Sequence, residues 1–128
     1  LKDGGSCILV SPFYEGVGPH GEYPMMIGNE DSSSLLTEVY YQGHTAYPQY
    51  NPLALAVGAL IGRMRKRFHM YVYSDGVDDE LLNQAKIHRI RDLSATIQTL
   101  AEHYGDGAVV MLVHNGAELV PVLPEETS

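Results

Sequence analysis

The chain of 128 residues has one cysteine, eight basic side chains against sixteen acidic ones, and no stretch near the roughly 20 apolar residues of a membrane span. Each shortage excludes something. Cys7 forms no internal disulfide, and inside the apolar run Cys7-Ile8-Leu9-Val10 it reads as a small core residue, which fits a cytoplasmic protein. A formal charge of −8 repels a phosphate backbone, so neither nucleic acid nor an anionic membrane is expected as a partner. Compact chemical motifs are also missing. There is no GxSxG nucleophile elbow and no HExxH, and no two of the six histidines stand close at metal-ligand spacing. The residues by themselves therefore name no catalytic group, no metal ligand and no cofactor-binding group.

What is present is a folded domain. With 45% hydrophobic and 19% charged residues the chain is too apolar to stay disordered, and its length suits one core. Residues 1–124 read as a single α/β domain and 125–128 as a frayed tail. Ser6 to Ser11 is an apolar run bounded by Gly4-Gly5 and Pro12, the pattern of a central parallel strand covered on both faces. Six glycines and prolines between Gly16 and Gly28 predict a long loop over 12–34, followed by a helix from about Leu35 to Gln42 capped by Ser32 or Ser33. Asn51-Pro52 starts the clearest helix, reaching about Lys66 with Leu53, Val57, Leu60, Ile61 and Met64 on one face and a basic end that suits the helix dipole.

Phe68 to Tyr73 predicts a strand, 78–86 a short helix, 87–90 a short strand, and Ser94 to Tyr104 a helix ended by Gly105. Ala108 to Val113 reads as another buried strand, and His114-Asn115-Gly116 as a hairpin turn into Glu118 to Val122, where Pro121 requires a sheet edge. The expected architecture is a Rossmann-like three-layer domain, a mostly parallel open sheet with one antiparallel edge strand.

Candidate functional residues gather after the first strand, where open α/β sheets bind ligands. Gly16-Val17-Gly18-Pro19-His20-Gly21 has the form GxGxxG. Pro12 to Glu15 separate it from the strand, however, and Pro19 and Pro24 discourage the immediate helix that a pyrophosphate needs. A self-contained nucleotide-binding domain is thus one alternative. Glu15, Gly16, Gly18, His20 and His44 are the substrate-cleft candidates, on two loops expected to converge with Glu22 and Tyr47. Tyr40, Tyr41, Tyr47 and Tyr50 leave open a second alternative, a non-catalytic interaction module.

Asp3-Gly4-Gly5-Ser6-Cys7-Ile8-Leu9-Val10-Ser11 followed by Glu15-Gly16-Val17-Gly18 resembles the segment that opens the last part of the C-terminal domain in lactate racemase homologues, the nickel-pincer-nucleotide enzymes. The strand at Met70 to Ser74, the helix at Ser94 to Tyr104, and Ala108 to Val113 with Val120-Pro121 are similar to the rest of that domain in order and spacing. The resemblance implies a two-domain racemase or epimerase of small 2-hydroxy acids with its active site between domains. It also implies that the metal-binding, cofactor-attaching and proton-transferring residues lie in the N-terminal part. The partner is then that missing N-terminal domain of the same chain, and the nickel-pincer nucleotide belongs to the full-length protein. On this reading the chain, which opens inside a βα unit with Leu1, is an isomerase fragment, inactive alone. Only Glu15, Gly16 and Gly18 carry over, as a loop facing the cleft.

Overall fold

The computed structural model describes residues 1–116. The elements run β1 (Ser6–Val10), α1 (Tyr23–Gly28), α2 (Ser32–Gln42), a 3-10 turn (His44–Ala46), α3 (Pro52–Arg67), β2 (His69–Tyr73), α4 (Asp79–Ala85), β3 (His88–Ile90) and α5 (Leu93–Tyr104). The strands form one parallel sheet in the order β1-β2-β3, with Ser6 opposite His69 through Val10 opposite Tyr73, and Tyr71 opposite His88 through Tyr73 opposite Ile90. The chain is therefore α/β. No described helix is long and apolar enough to cross a membrane.

Several expectations change. The loop over 12–34 contains α1 and the start of α2. Pro24 and Gly28 were read as breakers, yet Pro24 occupies the first turn of α1 and Gly28 its last residue, the two places where a helix tolerates them. Ser32 does not cap α2. Asp31 takes that position, while Ser32 is buried and its hydroxyl donates to the Met26 carbonyl at 2.6 Å. Asp92, not Ser94, caps α5, its carboxylate accepting from the Ala95 amide at 2.9 Å. Ala108 to Val113, expected as a strand, pairs with none in the described sheet: the segment is irregular, with Val109 95% and Leu112 91% exposed. Among the described residues the sheet is all parallel, and the expected antiparallel strand at 118–122 lies outside them.

Without a strand beyond it, β1 borders the described sheet instead of centring it. That position explains why Cys7, read as a core residue, is exposed, and why Leu9 and Val10 are about half exposed.

Two apolar clusters hold the fold. One joins three helices: Met26, Val39, Ala54 and Leu55 are buried, with Tyr23, Leu35, Leu36, Tyr47 and Tyr50 packed against them. Asn51 begins α3 as expected, its side chain accepting from the Leu53 and Ala54 amides. The buried face of α3 differs from the expected one, consisting of Ala54, Leu55, Gly58 and Ala59, whereas Leu53 and Leu60 are exposed. Small residues win that face because α1 comes very close. A methyl group on Gly58 would overlap the Met26 carbonyl. The second cluster places Val72, Val77 and Leu82 together, with Phe13, Leu81 and Ile87 around them, and fastens α4 to the sheet.

Charge pairs tie the helix cluster to α4. The Arg65 guanidinium donates to the Ile27 carbonyl at 3.0 Å, so the basic end of α3 is more than a solvated helix terminus. Glu30 accepts from Lys86 at 2.7 Å and lies 3.5 Å from Arg65. The Lys86 hydrogen bond and charge, with Arg65 behind them, hold the Glu30 carboxyl below its ordinary value of 4.5. A carboxyl lowered in the folded state adds stability above the unfolded-state value and loses it as pH falls through the folded one. Glu30→Gln is therefore expected to lower Tm slightly at neutral pH, and the difference should vanish as pH falls through the lowered folded-state value. Thermal melts across pH, repeated at high salt, check this, and screening should shrink the neutral-pH difference.

Candidate functional site

The loops that leave β1 and β2 meet at the carboxyl edge of the sheet. Phe13 turns the first loop with φ 45°, a left-handed backbone that a phenylalanine seldom adopts and that costs about 1–3 kcal/mol. Its side chain offsets this by packing on the Val72, Val77 and Leu82 cluster. Successive tight turns follow: the Gly16 amide donates to Phe13, Gly18 to Glu15, His20 to Val17 and Tyr23 to His20, at 2.8 to 3.1 Å. Gly16 and Gly18 hold φ 57° and 54°, which is why glycine stands at both.

The second loop is clamped from below by an arginine that sequence reasoning passed over. Arg89, on β3, is largely buried and donates to the carbonyls of Ser74 and Val77 while pairing with Asp79. Its one legible signal was a cation inside a short strand, ten residues after the Asp78-Asp79 pair. Held this way, the Ser74–Val77 turn presses Gly76 against the first loop, where a methyl group would overlap the carbonyl oxygens of Pro12 and Phe13. Gly76→Ala is expected to destabilise the chain by about 2 kcal/mol. Limited proteolysis should then cut first within residues 12–20, and urea titration gives the magnitude.

Four of the five cleft candidates, Glu15, Gly16, Gly18 and His20, lie along the first loop. Glu15 is exposed at the tip of the first loop, beside Tyr14, which is 94% exposed. Gly16 and Gly18 shape the loop's turns, and His20 stacks on Tyr23 with ring centroids 4.6 Å apart. His44 opens the 3-10 turn against the end of α2. The two loops do converge, through Glu22 and Asn51: the Asn51 amide donates to the Glu22 carboxylate at 2.6 Å, joining the end of one to the start of α3. Both are occupied structurally. Asn51 caps α3, and Glu22 orients that cap.

Of the tyrosines, Tyr40 and Tyr41 are exposed, whereas Tyr47 and Tyr50 pack on the helix cluster. The Tyr47 hydroxyl donates to Glu38 at 3.2 Å. Partial burial, and then that carboxylate, push its phenol above the ordinary tyrosine value.

A depression of about 500 Å³ lies elsewhere, lined by Met25, Met26, Gly28, Asn29, Tyr50 and Gln84. It carries no carboxylate, imidazole or cation. Among the described residues no three His, Cys, Asp or Glu side chains gather as a metal site. The arrangement offers a shaped loop surface with one carboxylate and one imidazole on it. No family model and no curated protein matches the chain.

Proposed function

We propose that the chain is the Rossmann-like, cleft-forming C-terminal domain of a lactate-racemase-like enzyme that racemises or epimerises 2-hydroxy acids. The loop Tyr14 to His20 is its contribution to the cleft wall. The observation that carries this reading is the built but incomplete edge. Arg89, Gly76 and Phe13 hold the first loop in place, and the loop presents the Glu15 carboxylate and the His20 imidazole, the latter stacked on Tyr23. Such a wall positions a substrate and excludes water when another domain closes on it. No proton-transfer step is assigned to these residues, and no residue here is assigned to the nickel-pincer nucleotide.

The nucleotide-binding alternative has less support. In a phosphate cradle the glycine-loop amides point at the ligand, and here those of Gly16, Gly18 and His20 are spent on the loop's own turns. The helix that follows, α1, is only six residues long and starts two residues beyond Gly21.

The test uses the full-length protein that contains this sequence. Chiral chromatography should show interconversion of the two hands of a small 2-hydroxy acid, and the 128-residue chain alone should show none. Gly18→Val, which the left-handed turn resists, should cut kcat/KM of the full-length protein by on the order of 10-fold. Racemisation by the isolated chain would overturn the reading. So would a rise in its Tm with millimolar NAD or ATP, because a ligand of the folded state raises the melting temperature.

A further inference from the structure

Two unpartnered features of the described residues fit each other. The first is the open edge of β1. The Ser11 amide donates to Tyr73 and the His69 amide to Gly5, and a parallel ladder uses alternate residues on each side. Gly5, Cys7, Leu9 and Ser11 therefore face β2, and Ser6, Ile8 and Val10 offer their N–H and C=O groups to the open edge. Such an edge is a template for another strand. The second feature is Ala108 to Val113, six apolar residues in a row, of which Val110 and Met111 are 86% and 82% exposed. Water is a poor place for such a run.

Their connection places them side by side. The Tyr104 hydroxyl, in the last turn of α5, donates to the Gly4 carbonyl at 2.7 Å and lies 2.8 Å from the Ser6 hydroxyl. The helix thus ends beside the start of β1. Only Gly105-Asp106-Gly107 intervene before Ala108, which starts the run at the same end of the sheet. A helix that returns to the amino end of a sheet before an apolar run is the layout of a crossover into a parallel strand. The α5 helix has no buried residue and leaves Ile97 half exposed, as a helix does before the sheet under it is complete.

We propose that Ala108–Val113 of the same chain adds to the open edge of β1 as a fourth parallel strand. The three-residue tether favours this partner over a second copy, because a short tether raises the local concentration of the segment to roughly millimolar. Pairing covers the edge amides of Ile8 and Val10 and brings the exposed Leu9 and Val10 side chains against Val109 to Leu112. It also changes the site. With a strand on each side, β1 becomes the point where crossovers leave in opposite directions, the place where open α/β sheets form a ligand crevice. His114 to Gly116, turning at an Asn115 with φ 54°, would follow the new strand at the carboxyl edge and form the second wall of a crevice opposite Glu15 to Gly18. The pairing stands whether or not the racemase reading holds. Only the identity of the crevice's ligand depends on that reading.

Cys7, exposed on β1 and the only thiol, provides the test. Val109→Cys and Val110→Cys are oxidised separately with copper phenanthroline in dilute solution. Because successive strand residues alternate faces, one variant should give a cross-linked monomer, faster on a non-reducing gel, and the other should not. In the unmodified chain the Ile8 and Val10 amides should exchange with deuterium on the order of 100-fold more slowly than unpaired ones. Val110→Pro, harmless in an exposed irregular segment, should lower Tm by roughly 10 °C by breaking the new ladder. Cross-linked dimer alone, fast exchange at both amides, or an unchanged Tm in Val110→Pro would overturn the pairing.

Discussion

Gly28→Ala is expected to destabilise the protein by about 3 kcal/mol and to lower Tm by roughly 10 °C, as read by urea and thermal unfolding. The cause is contact. Gly28 closes α1 where that helix meets α4, and a methyl group on it would overlap the Gln84 carbonyl and crowd the Gln84 peptide carbon behind it. A flexible side chain would step aside at little cost, whereas a backbone carbonyl of α4 moves only with its helix. Moving α4 disturbs Leu82 in the sheet cluster and the Lys86–Glu30 pair together, so the loss is shared by both halves of the fold. Gly62→Ala on α3, where nothing lies within 4 Å of the added methyl, is the control. It should be neutral or stabilising by about 1 kcal/mol, because alanine is the better helix former.

Arg89→Leu should cost a comparable amount, about 3 kcal/mol, with a different signature. Leucine keeps the apolar bulk but removes the donors that satisfy the Ser74 and Val77 carbonyls, and it leaves Asp79 without that cation. The Ser74–Val77 turn then loses its clamp, and the first loop loses the Gly76 surface that it rests on. Hydrogen exchange should rise at Gly16, Gly18 and His20, whose amides close the loop's turns, more than at the α3 amides. Arg89→Lys should recover only part of the stability, since an ammonium keeps the charge but lacks the planar fork that reaches two carbonyls and a carboxylate at once.

Several elements were legible because their signals are local. Asn51-Pro52 predicts the start of α3, since the amide side chain and the missing proline N–H act within one turn. The apolar runs at Ile8 and Val72 predict parallel strands, and Gly105 ends α5 as expected. The α1 helix was not legible, because Pro24 and Gly28 break a helix in its interior and merely bound it at its ends, and only the fold shows which applies. The buried face of α3 was misread for a related reason. Side-chain size predicts burial when a helix packs at ordinary distance, and α1 comes so close that Gly58 and Ala59 fit where Leu60 does not. For the site, the sequence pointed to the loop after the first strand and to the glycines that turn it. It could not show Arg89 holding the neighbouring turn, a contact between residues far apart in sequence.

The sequence by itself determined an α/β chain with parallel strands, the caps at Asn51 and Gly105, and a glycine-turned loop after the first strand. Composition, capping and run length act over a few residues and need no knowledge of what lies across the sheet. Tertiary structure alone decided that β1 borders the described sheet, that Cys7 is exposed, and that Glu22 and Asn51 join the two loops. Those outcomes depend on which surfaces meet. An apolar run states that it seeks cover, and only the packed fold shows whether cover has been found.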